Sequence, residues 1–194
     1  MIILASASPR RRELLTQIGC NFRIVTAEVE EEKTNDLPEE LVVNNAILKA
    51  KAVAAETDTP VLGADTAVVL DSRIYGKPEN REEAAEMLHS LSGRKHQVMT
   101  GIAFVYQGKV WQAVEKTAVY MAKISTDEIA KYVATGEADD KAGAYAVQGR
   151  AAAFIERLEG SFTNVVGLPL HRVVELAKKA GIDLYDDNGA GFTS

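Results

Sequence analysis

Apolar runs in the first half of the chain predict the strands of a sheet. Residues 2–5 and 22–26 are short apolar runs of the kind that forms strands. Residues 60–70 are apolar almost throughout, and they predict either one strand or two strands broken at Gly63. The polar residues at 71–73 predict a turn back into another short strand.

Apolar residues at helical spacing separate these strands. Ser8 followed by Pro9 is typical of a helix start with Ser8 as the N-cap, and Gly19 predicts the end of that helix. Residues 38–56 and 80–91 repeat apolar side chains every three or four positions, which predicts two further helices.

The second half of the chain contains a predicted hairpin. Two β-rich runs, residues 97–106 and 109–121, are joined through Gly108, and this spacing is typical of a β-hairpin. Residues 152–158 predict one more strand.

Two helices are also predicted in this half. Ser125 and Glu128 have the spacing of a capping box, which predicts a helix that runs to Val133. An amphipathic pattern begins at Leu170 and predicts a helix that ends near Gly181.

Helices and strands therefore alternate, with at least one hairpin, and this order predicts a mixed sheet in an α/β or α+β fold. The sequence has no internal repeat, low-complexity tract or long linker. Residues 1–194 are expected to form a single domain whose last ten residues are frayed.

Composition and charge exclude several classes of protein. Among the 194 residues, 46% are hydrophobic and 26% charged, which is ordinary for a globular protein. The net charge of -6 argues against a general nucleic-acid or membrane surface. The start of the chain lacks the features of a signal peptide, and no stretch approaches the roughly 18 apolar residues of a membrane span. The single cysteine, Cys20, excludes an internal disulfide, fits a reducing cytoplasm and is expected to be a packing residue.

The first candidate site is the turn and helix start that carries Ser6, Ser8 and three arginines. Free N–H groups at a helix start favour anions, and hydroxyl and guanidinium groups add donors. Arg10, Arg11 and Arg12 follow one another in the chain, so they cannot all face one ligand. An N-cap followed by a solvated basic face is the alternative interpretation.

The second candidate is Asp65, which stands between Gly63 and Thr66 in an otherwise apolar strand. Burying an unpaired carboxylate is costly, so an aspartate at such a position needs a partner or a metal. Asp65 is expected to hold a divalent cation or to act as a general base. A structural aspartate, hydrogen-bonded at a strand end, is the alternative.

An acidic run follows the second predicted strand and contains Glu28, Glu30, Glu31 and Glu32. Hard cations such as Mg²⁺ and Mn²⁺ prefer carboxylate oxygens, so one or two of these residues would complete a metal site with Asp65. For most of the four glutamates, a solvated acidic loop is the stronger interpretation.

Two lysines and one glycine-rich segment complete the candidates. Lys49 on the long helix and Lys77 in a G-K-P loop would neutralise phosphate oxygens, although a lone lysine is more often solvated. Residues 140–149 combine Lys141 and Gln148 with small side chains, which suits a tight loop against a ligand base. A simple glycine-rich turn is the alternative.

Other nucleotide and catalytic motifs are missing from the sequence. It has neither a G-x-x-x-x-G-K-[ST] loop nor a G-x-G-x-x-G fingerprint, and no G-x-S-x-G elbow. His89, His96 and His171 lack the spacing of a zinc site and are expected to be surface or core residues.

Taken together, the segments resemble the Maf family of nucleoside triphosphate pyrophosphatases. The resemblance is specific because the motifs occur in order over nearly the whole chain. They are L-A-S-A-S-P-R-R-R-E-L-L at 4–15, E-V-E-E at 28–31, K-A-K-A at 49–52, L-G-A-D-T at 62–66, G-K-P at 76–78, L-S-G-R-K-H-Q-V at 91–98, D-K-A-G-A-Y at 140–145 and G-L-P at 167–169.

The resemblance implies a fold similar to the inosine triphosphate pyrophosphatases, with an elongated mixed sheet and two lobes around a cleft. It implies cleavage between the α- and β-phosphates, which gives a nucleoside monophosphate and pyrophosphate. It also implies a divalent metal, Mg²⁺ or Mn²⁺, and a homodimer in the cytoplasm.

The resemblance also implies roles for single residues. Asp65 is the expected proton acceptor, while Arg10, Thr66 and Gln148 resemble the branch that acts on dTTP and UTP. Glu31 is the expected second metal ligand by alignment, although Glu32 extends the acidic run and leaves the choice of glutamate open. Ala146 stands where many members have glycine. Phosphate and substrate binding is expected from Ser6, Ser8, Arg10, Arg11, Lys49, Lys77 and Lys141.

Two alternatives remain at this point. One is the same fold with a preference for 7-methyl-GTP or a modified pyrimidine nucleotide. The other is a regulator of cell division that binds a nucleotide without turnover. The net negative charge argues against nucleic acid as its ligand.

Overall fold

The computed structural model describes residues 1–32 and 37–185, and in them the chain forms a mixed α/β fold. Its strands are β1 (Ile2–Leu4), β2 (Phe22–Ile24), β3 (Val61–Leu70), β4 (Arg73–Tyr75), β5 (Lys95–Tyr106), β6 (Lys109–Met121) and β7 (Ile155–Glu159). Its α-helices are α1 (Pro9–Gln17), α2 (Pro38–Ala54), α3 (Arg81–Leu91), α4 (Thr126–Val133), α5 (Phe162–Val166) and α6 (Leu170–Ala180).

The strands form one mixed sheet in the order β2-β1-β3-β5-β6-β7, and β4 pairs with β3 outside this path. Strand β1 is parallel to both β2 and β3, with Ile3 opposite Arg23 on one side and Val61 on the other. The pairs β3–β4 and β6–β7 are antiparallel. The predicted mixed sheet and α/β class are therefore confirmed.

The contacts divide the chain into two compact units. The first unit comprises Met1–Asp65, Thr100–Glu115 and Gly167–Ser194, and the second comprises Thr66–Met99 and Lys116–Val166. Every helix in the described part of the chain is too short or too polar to cross a membrane.

The structure differs from the predicted elements in a few places. Strand β3 continues through Gly63 without a break. A 3₁₀ turn at Arg150–Phe154 replaces the start of the strand predicted over 152–158, because Ile155 is the first residue to pair with β6. The sequence pattern did not predict the short helix α5. The predicted fraying concerns the end of the chain, which from residue 186 onward lies outside the described residues.

Other local predictions are confirmed. The hairpin between β5 and β6 turns at Gln107 and Gly108, which both have positive φ angles. Helix α4 begins with a complete capping box, in which the Ser125 hydroxyl accepts from the Glu128 N–H at 3.3 Å. The Glu128 carboxylate accepts in turn from the Ser125 N–H at 2.8 Å.

Helix α2 packs directly on two glycines of the sheet. A Cβ atom at Gly63 in β3 would lie 2.1 Å from the carbonyl oxygen of Ala46. A Cβ atom at Gly101 in β5 would lie 2.3 Å from the carbonyl oxygen of Val42. Since real contacts are never this short, only glycine at these positions permits the observed approach of the helix to the sheet.

The second unit has its own core, and His96 and Tyr145 form a polar pair inside it. His96 is 2% exposed, and its Nε2 atom lies 2.6 Å from the hydroxyl oxygen of Tyr145. Burial lowers the pKa of His96 to about 4, because the charged imidazolium loses its hydration there. The other two histidines are exposed, so the surface-or-core interpretation is confirmed for all three.

Cys20 is buried in the first unit, as expected of a packing residue. Its burial raises the pKa of the thiol to about 11, since the thiolate would be poorly solvated. The thiol therefore stays protonated and unreactive at neutral pH.

Replacing Gly63 by alanine should destabilise the protein by roughly 1–3 kcal/mol, because the new methyl group forces α2 away from β3. The measurement is the free energy of unfolding in urea. Gly76→Ala is the matched control, since a Cβ atom there meets nothing within 4 Å. Equal stability of the two variants would contradict the close packing.

The buried imidazole of His96 predicts a loss of stability on acidification. Between pH 6.5 and about pH 4 the His96 side chain is protonated in the unfolded chain but not in the folded chain. The free energy of unfolding therefore decreases as the pH is lowered through this range. The loss from this group is on the order of 3 kcal/mol. Above pH 6.5, His96 does not change the free energy of unfolding with pH.

Urea titrations at a series of pH values measure this dependence. His96→Gln should flatten the slope between pH 6.5 and pH 4, whereas His89→Gln, at an exposed position, should leave it unchanged. An unaltered slope in His96→Gln would show that other groups cause the acid sensitivity.

Candidate active site

Asp65 lies in the middle of β3 and faces helix α2. Side chains two residues apart in a strand share a face, so Asp65 is on the same face as Gly63, where α2 makes its closest approach. The Asp65 side chain is 16% exposed. The glycine thus brings the helix within hydrogen-bond reach of the carboxylate.

Lys49 of α2 joins the two carboxylates that the sequence proposed as metal ligands. Its Nζ atom lies 2.7 Å from Oδ1 of Asp65 and 2.9 Å from Oε2 of Glu31. The Lys49 side chain is 16% exposed, whereas that of Glu31 is 46% exposed. The three residues therefore form one ion-pair cluster, and Glu31 is its solvent-facing member.

Asn45 is a member of this cluster that the sequence analysis missed. It is 2% exposed, and its Oδ1 atom accepts a hydrogen bond from the Glu32 N–H at 2.9 Å. Its Nδ2 atom donates to the Glu32 carbonyl oxygen at 2.9 Å and to Oδ2 of Asp65 at 3.2 Å. A sequence signal exists, because Asn45 interrupts the apolar face of α2 four residues before Lys49.

Arg11 directs its guanidinium into the protein around Asp65. Its Nη1 atom donates at 3.0 Å both to the Ser6 hydroxyl oxygen and to the Ala64 carbonyl oxygen. Its Nε atom donates to the Gly167 carbonyl oxygen at 2.8 Å. These bonds tie three segments of the first unit together.

Burial lowers the pKa of Arg11, and the negative charges of Asp65 and Glu31 oppose that shift. Arginine nevertheless remains charged at neutral pH. The cluster therefore contains two carboxylates and two cationic groups within one unit, so its charges are nearly balanced.

The turn before α1 leads into the helix at the predicted residue. Ser8 occupies the N-cap position as predicted, and its side chain makes no capping hydrogen bond. The Ser8 N–H instead donates to the hydroxyl oxygen of Ser6 at 3.3 Å. Because Pro9, the first helical residue, has no backbone N–H, the start of α1 has one fewer donor that needs a partner. Ser6 is buried, while Arg10 is half-buried.

Four other predicted site residues belong to the second unit. Thr66 is half-buried and directly follows Asp65 in β3. Lys77 and Gln148 are exposed. Lys141 is half-buried and forms an ion pair with Asp140, its neighbour in the chain.

The loops that carry these residues meet through their backbones. The Gly143 N–H donates to the Gly76 carbonyl oxygen at 3.0 Å, which places the loop before Lys77 against the segment after Lys141. Gly143 has a φ angle of 67°, and a Cβ atom there would lie 2.9 Å from the Val68 side chain. A glycine is therefore needed where the segment turns against β3.

The four glutamates of the acidic run differ in their contacts with the cluster of Asp65 and Lys49. Glu31 reaches the cluster by its side chain and Glu32 by its peptide, whereas Glu28 and Glu30 have exposed side chains. The interpretation of a solvated loop therefore holds for Glu28 and Glu30.

Glu31 and Asp65 offer donors that suit Mg²⁺ or Mn²⁺, because hard cations prefer carboxylate oxygens. Within residues 1–32 and 37–185, no three His, Cys, Asp or Glu side chains are grouped to hold a metal. Mg²⁺ is commonly held by one or two carboxylates together with substrate phosphates. The pair thus fits a cation shared with a phosphate ligand.

Comparison with known proteins gives a family match over most of the chain. The sequence model of the family described as "Maf-like protein" matches residues 1–180. The chain is also similar to curated proteins that are each named dTTP/UTP pyrophosphatase.

The protein of Pelotomaculum thermopropionicum is 54% identical over 187 residues, which cover 94% of this chain and 98% of that protein. The protein of Symbiobacterium thermophilum is 50% identical over 192 residues, which cover 98% of each. The protein of Methanosarcina barkeri is 46% identical over 191 residues, with 96% and 97% covered.

Two solved structures show a distant likeness. The Ham1 protein of Staphylococcus aureus is 16% identical with a TM-score of 0.44, over 62% of this chain and 71% of that chain. A HAM1 protein from Coxiella burnetii is 20% identical with a TM-score of 0.48, over 63% and 73%.

Proposed function

Because the chain belongs to the Maf-like protein family, we propose that it hydrolyses dTTP and UTP to the nucleoside monophosphate and pyrophosphate. Curated relatives at 46–54% identity are named for this activity, and they match the chain over nearly its full length. The observation that carries the proposal is the ion-pair cluster of Asp65, Lys49 and Glu31, whose groups would serve as general base, metal ligands and phosphate donor.

In the proposed reaction, water attacks the α-phosphorus and its proton passes to the Asp65 carboxylate. The bond between the α-phosphorus and the oxygen that bridges to the β-phosphorus breaks, and pyrophosphate leaves with that electron pair. Asp65 suits the role of base because Lys49 and Asn45 each hold one of its oxygens in a fixed direction.

We propose that Glu31 and Asp65 hold a divalent cation, Mg²⁺ or Mn²⁺. When bound, the cation neutralises charge on the triphosphate. Lys49 keeps the two carboxylates together, and its ammonium group is also a donor for phosphate oxygens. Ser8 and Lys77 are proposed to add further phosphate donors. Ser6 and Arg11 would support the same site by bracing the backbone beside Asp65.

Selection of the base is proposed to involve Arg10, Thr66 and Gln148, together with Lys141 from the same segment of the chain as Gln148. Gln148 is exposed, so its amide is accessible to the hydrogen-bonding edge of a pyrimidine. We further propose that the protein acts on free nucleotides in the cytoplasm as a homodimer. The net charge of -6 and the single buried cysteine are compatible with this setting.

A nucleotide panel tests the proposed substrate. Pyrophosphate release should require added Mg²⁺ or Mn²⁺, and kcat/KM for dTTP and UTP should exceed that for 7-methyl-GTP by about tenfold or more. Chelation of the metal serves as the control. A preference for a purine nucleotide would contradict the roles given to Arg10, Thr66 and Gln148, and tight binding without turnover would favour a regulator.

Asp65→Asn tests the proposed base. It keeps the shape of the side chain but removes the proton acceptor, so kcat should fall by about 10²- to 10⁴-fold. Asp58→Asn, at an exposed position of the same unit, is the matched control and should retain full activity. Full activity of Asp65→Asn in the pyrophosphate assay would exclude this residue as the base.

A further inference from the structure

We infer that Asn45 is a positioning residue, which holds the Glu31–Glu32 segment and the Asp65 carboxylate in the arrangement that the reaction requires. The inference rests on the proposed function for its effect on turnover. Its structural part stands on three hydrogen bonds of one buried amide, two to the Glu32 peptide and one to Asp65.

The Glu32 peptide determines which way the Asn45 amide points. Oδ1 faces the Glu32 N–H and Nδ2 faces the Glu32 carbonyl oxygen, both at 2.9 Å. A rotated amide would set donor against donor and acceptor against acceptor, so only one orientation is favourable. In that orientation the second N–H of Nδ2 points to Oδ2 of Asp65. The peptide of the acidic segment therefore orients the carboxylate through Asn45.

The acidic segment depends on this anchor. Residues 26–32 contain neither helix nor strand, so their position is not supplied by a regular backbone ladder. Glu31 is the residue directly before the anchored peptide, and its carboxylate reaches Lys49 at 2.9 Å. Fixing the Glu32 peptide on α2 thus brings the Glu31 side chain to the cluster.

One face of α2 performs both tasks. Asn45 and Lys49 are four residues apart and therefore neighbours on the same side of the helix. Asn45 holds the backbone of the segment, and Lys49 holds the two carboxylates. Asn44, the residue before Asn45, is exposed and belongs to another face.

Few other side chains can replace this amide. Aspartate has nearly the same shape but lacks a donor, so its oxygens would face the Glu32 carbonyl oxygen and Oδ2 of Asp65. Alanine would leave the Glu32 peptide without either bond. Asn45→Asp therefore preserves the packing volume while replacing the amide donor by a carboxylate oxygen, and Asn45→Ala removes both the volume and the hydrogen bonds.

The first experiment measures turnover of dTTP by the full-length protein. Both Asn45→Ala and Asn45→Asp should lower kcat by about 10- to 100-fold, as is typical for partners that orient ligands of a metal site. The KM for dTTP should change by less than about threefold, because Asn45 is not among the proposed substrate contacts. Asn44→Ala is the matched control and should behave as the wild type.

A role in packing alone would predict another result. Asn45→Asp would then keep wild-type kcat, because its volume is preserved, and that outcome would overturn the inference. Circular dichroism and the Tm establish whether each variant is folded. If Asn45→Ala does not fold, Asn45→Asp decides the question by itself.

The second experiment tests the anchor without any use of activity. A protease that cleaves after glutamate has sites in the segment at Glu28, Glu30, Glu31 and Glu32. Cleavage there under native conditions should be at least about fivefold faster in Asn45→Ala than in the wild type or in Asn44→Ala, because the segment opens locally more often. Equal cleavage rates would overturn the proposed anchoring.

The two experiments separate the two proposals. If the wild-type protein releases no pyrophosphate but Asn45→Ala is cleaved faster than the wild type, the proposed function is refuted and the anchor is supported. Pyrophosphate release that is unchanged in both Asn45 variants would support the function and refute the inference.

Discussion

The contact between helix α2 and the glycines of the sheet is the constraint on which the candidate site depends. Gly63 and Gly101 let the helix backbone lie against β3 and β5 at a distance that any side chain would prevent. Asp65 follows Gly63 by two residues on the same face of the strand. The packing that stabilises the first unit therefore also sets the distance from Asp65 to the polar groups of α2.

Charge balance is the second physical requirement of the site. A carboxylate in an apolar strand is costly unless it is paired, and Asp65 has a donor for each of its oxygens. Lys49 connects it to Glu31, which remains in contact with solvent. Arg11 adds a cation that is itself held by backbone carbonyl groups, including that of Ala64 next to Asp65. Such a cluster keeps its geometry before a charged ligand arrives, which would favour electrostatic stabilisation in the proposed reaction.

The residues of the second unit are positioned by other means. Lys77 and Gln148 are exposed, and their loops are fixed through a backbone hydrogen bond between Gly143 and Gly76 rather than through their own side chains. Exposed side chains on fixed loops remain free to adapt to a ligand, whereas the Asp65 cluster is largely preorganised. This difference matches the proposed division between base selection and chemistry.

The sequence by itself determined the order of the elements, because hydrophobic periodicity and turn residues are local signals. It also singled out Asp65, Lys49 and Glu31, which the structure brings together, since charged residues in or near apolar runs stand out and match known motifs. It did not determine that β3 continues through Gly63, because that glycine serves packing with α2 rather than a break in the strand. It also could not show that Ser8 leaves its helix uncapped by a side chain.

Only the tertiary structure decided the partners of Asn45 and Arg11. The partners of Asn45 are 13 and 20 residues away in the chain, and Arg11 donates to a carbonyl group 156 residues away. No local pattern encodes such pairings, because they exist only once α2 has packed on the sheet and Gly167 lies beside α1. The charged residues of the cluster were therefore visible in the sequence, while their geometry came from the packing of helix α2 on the sheet.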